Sequence, residues 1–241
     1  MGMPATVEIA DAGASEKDVE AVFSYFKYVD EKFSTYKDTS EISVINKGAL
    51  KIEDASADMK EVFKLAEETK KLTNGYFDIR KPDGKYDPSG LVKGWAIHNA
   101  AKILKGRGLN NFYIDLAGDI ETSGKNSSGG SWRIGIRSPF NQGEIIKVIN
   151  VENRGVATSG TYIRGQHIYN PHDKAEQLNE VVSVTVIGPN VYEADRYATA
   201  VFAMGREGAA FVGSLDGFEC YMVDNNRIAT MTNGFREYIA Q

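Results

Sequence analysis

Asp195 and Thr199 stand four residues apart in Val191–Met204, a segment whose apolar residues recur at helical spacing, so both side chains project from one face a turn apart. A carboxylate and a hydroxyl so placed are two hard oxygen donors. Magnesium takes such ligands when it keeps several waters and binds substrate phosphates. The same pair also fits an acidic residue in a first helical turn, complementing the dipole, with a threonine packed beside it. A second candidate is Asp87–Gly94, a turn entering a helix, where unpaired backbone N–H groups, the Asp87 carboxylate and the Lys93 ammonium meet as an anion site would require. It is not a Walker loop, because Lys93 is followed by Gly94 rather than by Ser or Thr. Its other reading is a helix-start acid with Lys93 on a solvated face. Thr158-Ser159-Gly160 offers two hydroxyls and a close-approach backbone, or an ordinary strand-ending turn. His167 suits deprotonation of a hydroxyl nucleophile near neutral pH, or is a structural histidine in a strand. His98 and His172 read as surface residues, and neither joins a Cys/His cluster of the kind zinc requires.

The elements that must position these groups follow from periodicity. Thr6–Ile9 alternates as a strand, and Ser15 opens a helix reaching about Phe33, with Ser34–Tyr36 as the turn after it. A second helix is predicted over Ala57–Leu72 and ends at Asn74-Gly75, leaving Gly75–Asp78 in an exposed loop. A third starts just after Gly90 and stops near Gly106 and Gly108. From Asn111 the period becomes that of strands: Phe112–Leu116, Asp119–Thr122, Trp132–Ile136, Ile145–Val148 and Val182–Ile187. Ser123–Ser131 reads as a hairpin loop, Val191–Met204 as a helix, and 218–231 as a hairpin across Asp224–Asn226. The fold class is α+β, with largely antiparallel sheet flanked by helices.

Composition narrows the function classes. A chain of 241 residues with 42% hydrophobic and 25% charged residues is an ordinary globular composition. Its 28 basic and 33 acidic residues give a net charge of -5, which supplies no basic footprint for nucleic acid. No apolar run reaches the length of a membrane span, and the N-terminus lacks the basic and apolar regions of an export signal. The expectation is a cytoplasmic protein, or an exported one if a signal has been trimmed. Cys220 is the single cysteine, in a strand pattern where it serves as a small buried hydrophobe.

Met1-Gly2, Ser34–Tyr36, Ser40–Asn46, Gly75–Asp78, Asp87–Gly94, Leu116–Ile120, Val156–Gly160, His167–Pro171 and Ala194–Thr199 occur in an order that resembles the ApbE family, the FAD:protein FMN transferases, over nearly the whole chain. The resemblance implies one domain over residues 1–241, with two interlocked T-fold-like halves around a flavin site. It implies Mg2+ held by Asp195, Thr199 and the Gly90 carbonyl. It places FAD against Met1, Tyr36, Tyr76, Phe77, Asp78, Asp87, Lys93 and Tyr169, with Thr158, Ser159 and Gly160 beside them, and makes His167 the catalytic base. The implied reaction is attack by a threonine hydroxyl of an acceptor flavoprotein on the FMN phosphorus of FAD, releasing AMP. Water in place of threonine gives FAD hydrolysis to FMN and AMP, and a non-catalytic FAD-binding protein is the third reading. The chain departs from the family pattern in three places: only eight residues separate Asp78 from Asp87, Ala117-Gly118 replaces a double glycine, and Asn170 replaces the acid before Pro171.

Overall fold

In the computed structural model, which describes residues 3–141, 143–160, 172 and 180–240, the alternating segments form two sheets. Among the described residues the larger has seven strands: β1 (Ala5–Ile9), β2 (Phe112–Leu116), β3 (Asp119–Ser123), β6 (Gly155–Gly160), β7 (Val181–Gly188), β8 (Glu219–Asp224) and β9 (Ala229–Met231). They lie in that spatial order, and every neighbouring pair is antiparallel. The smaller sheet pairs β4 (Trp132–Arg137) with β5 (Ile145–Val151). Six α-helices accompany them among the described residues: α1 (Glu16–Phe33), α2 (Glu41–Asn46), α3 (Ala57–Leu72), α4 (Ser89–Gly106), α5 (Val191–Met204) and α6 (Gly208–Gly213). This is the mixed, largely antiparallel α+β architecture that the periodicities require.

Strand alternation distributes the core. Val156 packs with Trp132, Ile134 and Ile136 of the small sheet, whereas its neighbour Ala157 packs with Ala194, Ala198 and Val201 of α5. The large sheet therefore carries β4 and β5 on one face and α5 on the other. A third cluster gathers α1, α3 and α4 around Val22, Met59, Leu91, Trp95 and Leu104, all at most 3% exposed. Each such large side chain, fully buried, contributes about 1.5–3 kcal/mol of transfer free energy.

Helix starts are set by polar side chains. The Asp18 carboxylate accepts both the Ser15 N–H, at 2.8 Å, and the Ser15 hydroxyl, at 2.7 Å. Ser56 caps α3 and donates from its own N–H and hydroxyl to the Glu41 carboxylate, at 2.6 and 2.7 Å. Asn190 caps α5 by accepting the Glu193 N–H at 3.0 Å.

Three local expectations need correction, and one helix lies outside them all. Glu41–Asn46 is helical; its six residues, capped by buried Ser40, are too few to reveal a helical period. Thr158–Gly160 does not end a strand in a turn: β6 stays in register with β7 as far as Gly160 opposite Ser183. Ser123–Ser131 does not close a hairpin, because β3 and β4 lie in different sheets. Asn126 compacts that connection by donating to the Ser131 carbonyl and accepting from the Ser128 and Gly130 N–H groups. Gly75–Asp78 is not an exposed loop throughout, since Phe77 is 3% exposed and belongs to the helical core. Cys220, by contrast, is buried as expected.

Candidate functional site

Helices α4 and α5 pack along their length because glycine occupies the crossing stripe of α4. A Cβ on Gly90 would lie 3.1 Å from Thr199 Cγ2 and 3.4 Å from Phe77 Cε2. A Cβ on Gly94 would lie 2.6 Å from Asp195 Cβ and 2.7 Å from the Val191 carbonyl oxygen, closer than any real contact. Gly90 thus faces Thr199 and, one turn on, Gly94 faces Asp195, so the two helices run antiparallel at close range.

The donor groups converge at those two levels. The Thr199 hydroxyl donates to the Gly90 carbonyl at 3.3 Å, and lies 3.4 Å from the Ser159 hydroxyl. The Gly94 N–H, which in a regular helix serves the Gly90 carbonyl, donates to Asp195 Oδ2 at 2.7 Å. Asp195 is 5% exposed. Adjacent ligands of an octahedral magnesium are about 2.9 Å apart for metal–oxygen bonds of about 2.0–2.1 Å. The Gly90–Thr199 spacing is close to that, and a carboxylate, a hydroxyl and a carbonyl are all hard oxygen donors, so these three residues fit a magnesium ion. Among the described residues, no group of three or more His, Cys, Asp or Glu side chains forms another metal site.

The adjacent face of α4 carries Lys93, whose ammonium lies 2.6 Å from Asp119 Oδ2, at side-chain exposures of 14% and 1%. Lys93 is therefore not on a solvated face. The other oxygen of Asp119 accepts the Thr158 N–H at 3.0 Å, and the Thr158 hydroxyl lies 2.9 Å from that of Thr185. Asp119, at the start of β3, thus joins the α4 cation to the β6 backbone. Spacing and residue type alone do not single out Asp119 as a site residue, although it follows the Ala117-Gly118 turn in which both residues have positive φ, 51° and 95°. That turn brings the acid to the strand start.

Phe77, Gly90, Lys93, Thr158, Ser159, Asp195 and Thr199 are brought together, with Gly160 next to them on β6. The other candidates have contacts or exposure of their own. The Asp87 carboxylate accepts the Ser89 N–H at 3.1 Å just before α4. Asp78 pairs with Lys70 at 2.7 Å, a hydrogen bond that holds the Lys70 ammonium above its usual range. Tyr76 packs edge-on against His172 at 4.5 Å between ring centres, while the His172 ring nitrogen sits 2.8 Å from the Asn74 carbonyl oxygen. Tyr36 is 99% exposed on the turn between α1 and α2. Met1, His167 and Tyr169 lie outside the described residues.

His172 is exposed as expected, but His98 is not a plain surface residue. Its Nδ1 is buried, lacks a hydrogen-bond partner among the described residues and lies 3.6 Å from Glu121 Oε1. The spacing Gly90, Gly94, His98 puts all three on one stripe of α4, and this signal could have turned His98 inward at the outset.

A family model described as the ApbE family matches residues 1–81 and 79–222. The FAD:protein FMN transferase of Haemophilus influenzae is 25% identical over an alignment of 308 positions that covers 98% of this chain and 89% of that protein. The protein of the same name from Vibrio cholerae is 31% identical over 166 residues, 65% of this chain and 48% of the relative. In that match, and in those with the Escherichia coli and Salmonella typhimurium proteins, the chain spans about half the length of the relative or less. The solved flavin transferase ApbE from Vibrio cholerae superposes with a TM-score of 0.85 at 24% identity, covering 99% of this chain and 96% of that one. The ApbE protein from Thermotoga maritima gives 0.87 at 20% identity, covering 100% and 97%. At these identities the likeness concerns the fold. Among the described residues, no helix is long and apolar enough to cross a membrane.

Proposed function

The chain belongs to the ApbE family, and from that premise we propose that it is an FAD:protein FMN transferase, moving FMN from FAD to a threonine hydroxyl of an acceptor flavoprotein and releasing AMP. The observation that carries this reading is the convergence of Asp195, Thr199 and the Gly90 carbonyl beside the Lys93–Asp119 pair. Oxygen donors and a cation side by side suit a pyrophosphate. Asp195, Thr199 and Gly90 would hold Mg2+, which when bound supplies Lewis-acid stabilisation of phosphoryl charge.

The chain's own residues do the rest by position and electrostatics. Lys93, fixed by Asp119, presents a desolvated cation to the pyrophosphate, where it is worth more than in water. The β6 end at Thr158–Gly160 and the exposed ring of Tyr36 are flavin contacts in this reading, with Met1, Tyr76, Phe77, Asp78, Asp87 and Tyr169 completing the set. His167 takes the proton of the acceptor hydroxyl. The new bond joins the hydroxyl oxygen to the FMN phosphorus; the bond from that phosphorus to the bridging oxygen breaks, and AMP departs with that oxygen. The two oxygens must lie in line through phosphorus.

Incubation with FAD and Mg2+, with and without a threonine-containing acceptor flavoprotein, tests the proposal by AMP release and by the mass of the acceptor. Flavinylated acceptor with stoichiometric AMP supports transfer; AMP without it indicates a pyrophosphatase, and bound FAD with no AMP a flavin-binding protein. Asp195→Ala removes an anionic ligand worth several kcal/mol of charge stabilisation, so turnover should fall by about 100-fold or more. Unaltered turnover and Mg2+ dependence in that variant refute the metal assignment.

A further inference from the structure

The α4–α5 contact has a third level beyond those of Thr199 and Asp195. Gly90 meets Thr199 and Gly94 meets Asp195; one turn further along α4 stands His98, and one turn back along α5 stands Val191. Between them lies Glu121 of β3, 4% exposed. Glu121 Oε2 accepts the Val191 N–H at 2.5 Å, and Oε1 faces His98 Nδ1 at 3.6 Å. That imidazole nitrogen is shielded from solvent and has no hydrogen-bond partner among the described residues.

A buried carboxylate is a costly way to finish a helix that is already capped. Asn190 serves the Glu193 N–H, so α5 does not need Glu121 in order to start. Glu121 comes from a different element, and its charge is tolerable because it meets an N–H group at the positive end of α5. Its effect is therefore to fix where α5 begins relative to the sheet. Opposite Glu121 in the strand register is Gly155, where a Cβ would fall 1.9 Å from the Val191 nitrogen. The strand pair is thus shaped to receive this turn and no bulkier contact.

We propose that Glu121 and His98 are positioning residues for Asp195: together they hold the first turn of α5 at the height on α4 where the Asp195 carboxylate reaches the level of Gly90 and Thr199. The importance of that height rests on reading the Asp195 face as a cation site. His98 faces the Glu121 carboxylate from α4, the same helix whose Gly94 N–H holds Asp195. Neither residue touches the reacting groups.

The test compares Glu121→Val, Glu121→Gln and His98→Phe with the parent chain by two readouts. One is Mn2+ binding, followed by the EPR signal of the free ion; the other is amide hydrogen exchange of the metal-free protein. Glu121→Val should weaken Mn2+ binding by about 10-fold, the lower end of what loss of a group supporting a metal ligand causes. It should also speed exchange at residues 191–195 relative to 200–203 of the same helix. Glu121→Gln keeps an oxygen for the Val191 N–H and should stay within about threefold of the parent on both readouts. His98→Phe keeps the ring volume and should shift both in the direction of Glu121→Val, which makes it decisive if Glu121→Val does not fold. Exchange at 191–195 that matches the parent in the folded variants overturns the proposal. If the parent and Asp195→Ala bind Mn2+ alike, the cation reading fails alone, and faster exchange confined to the first turn of α5 still supports the positioning role.

Discussion

Gly94→Ala is the sharpest probe of the site, because one methyl group should separate packing from function. The added Cβ would stand 2.6 Å from Asp195 Cβ, 2.7 Å from the Val191 carbonyl oxygen and 3.0 Å from Asp195 Oδ2. Carbon atoms in contact prefer about 3.5–4.0 Å, so α5 must retreat from α4 by about 1 Å, and the backbone oxygen of Val191 cannot swing aside as a side-chain tip would. Overpacking of this kind costs about 1–3 kcal/mol, while alanine in place of glycine in a helix interior returns about 1 kcal/mol. The net destabilisation is then about 0–2 kcal/mol, and the protein stays folded. The site does not tolerate the same shift. Asp195 loses its 2.7 Å bond to the Gly94 N–H, and a displacement of about 1 Å in a positioning group can cost about 100-fold in rate. Gly106→Ala is the control: it lies in the same helix, with nothing among the described residues within 4 Å of the place its new methyl group would take, and should stabilise by up to about 1 kcal/mol without altering turnover. Urea unfolding and FAD turnover against Mg2+ concentration, measured on both variants, decide between the two outcomes. Parent-like Mg2+ dependence in Gly94→Ala would show that the tight α4–α5 contact does not set the geometry of Asp195.

Two further outcomes follow from buried groups. Lys93→Met leaves the Asp119 carboxylate buried without its cation and should destabilise by about 3 kcal/mol in urea unfolding; adding Asp119→Asn should restore most of that stability but none of the FAD turnover. Burial pushes the Cys220 thiol up to about 12 from its usual 9.0, so its contribution to stability is complete below about pH 9 and is lost as pH rises from there toward about 12. At pH 8 the folded protein should react with a thiol-specific disulfide reagent only slowly, and stoichiometrically once unfolded in urea; rapid reaction of the native protein contradicts the burial.

Much of the scaffold is legible in the sequence because its elements are long enough to show a period. The helices α1, α3, α4 and α5 and the strands other than β6 are each marked by the spacing of their apolar residues, and those spacings survive in the packing. Short pieces escape. Glu41–Asn46 has β-branched residues and under two turns, so only the contacts of Ile42 and Ile45 with the helical core make it a helix. Sheet partnership escapes as well: nothing local to Ser123–Ser131 says that β3 and β4 pair with different strands, since that depends on β6 arriving from further along the chain. At the site, Asp195 and Thr199 can be paired from their own helix, but their partner Gly90 is 109 residues from Thr199, and only the family pattern links them before the fold does. Asp119, Glu121 and His98 stay hidden for a related reason. Buried ionisable groups look like surface residues until the element that covers them is known.

The two acids nearest the proposed metal and phosphate positions each depend on α4 by a different kind of contact. Asp195 is held by a backbone N–H of that helix, Asp119 by the ammonium of its Lys93. Residues 93 and 94 are consecutive, so their contacts leave α4 about 100° apart, one toward α5 and one toward β3 and β6. The helix therefore acts as a wedge whose rotation is fixed from both sides: turning it to relax the Gly94 contact would pull Lys93 from Asp119, and the reverse holds as well. Such coupling accounts for glycine at positions where any side chain would force the wedge apart. It also implies that substitutions on the two faces are not independent. Combining Gly94→Ala with Asp119→Asn should give a turnover loss smaller than the product of the separate losses, because once the Asp119 contact is gone the helix can rotate to accommodate the new methyl group.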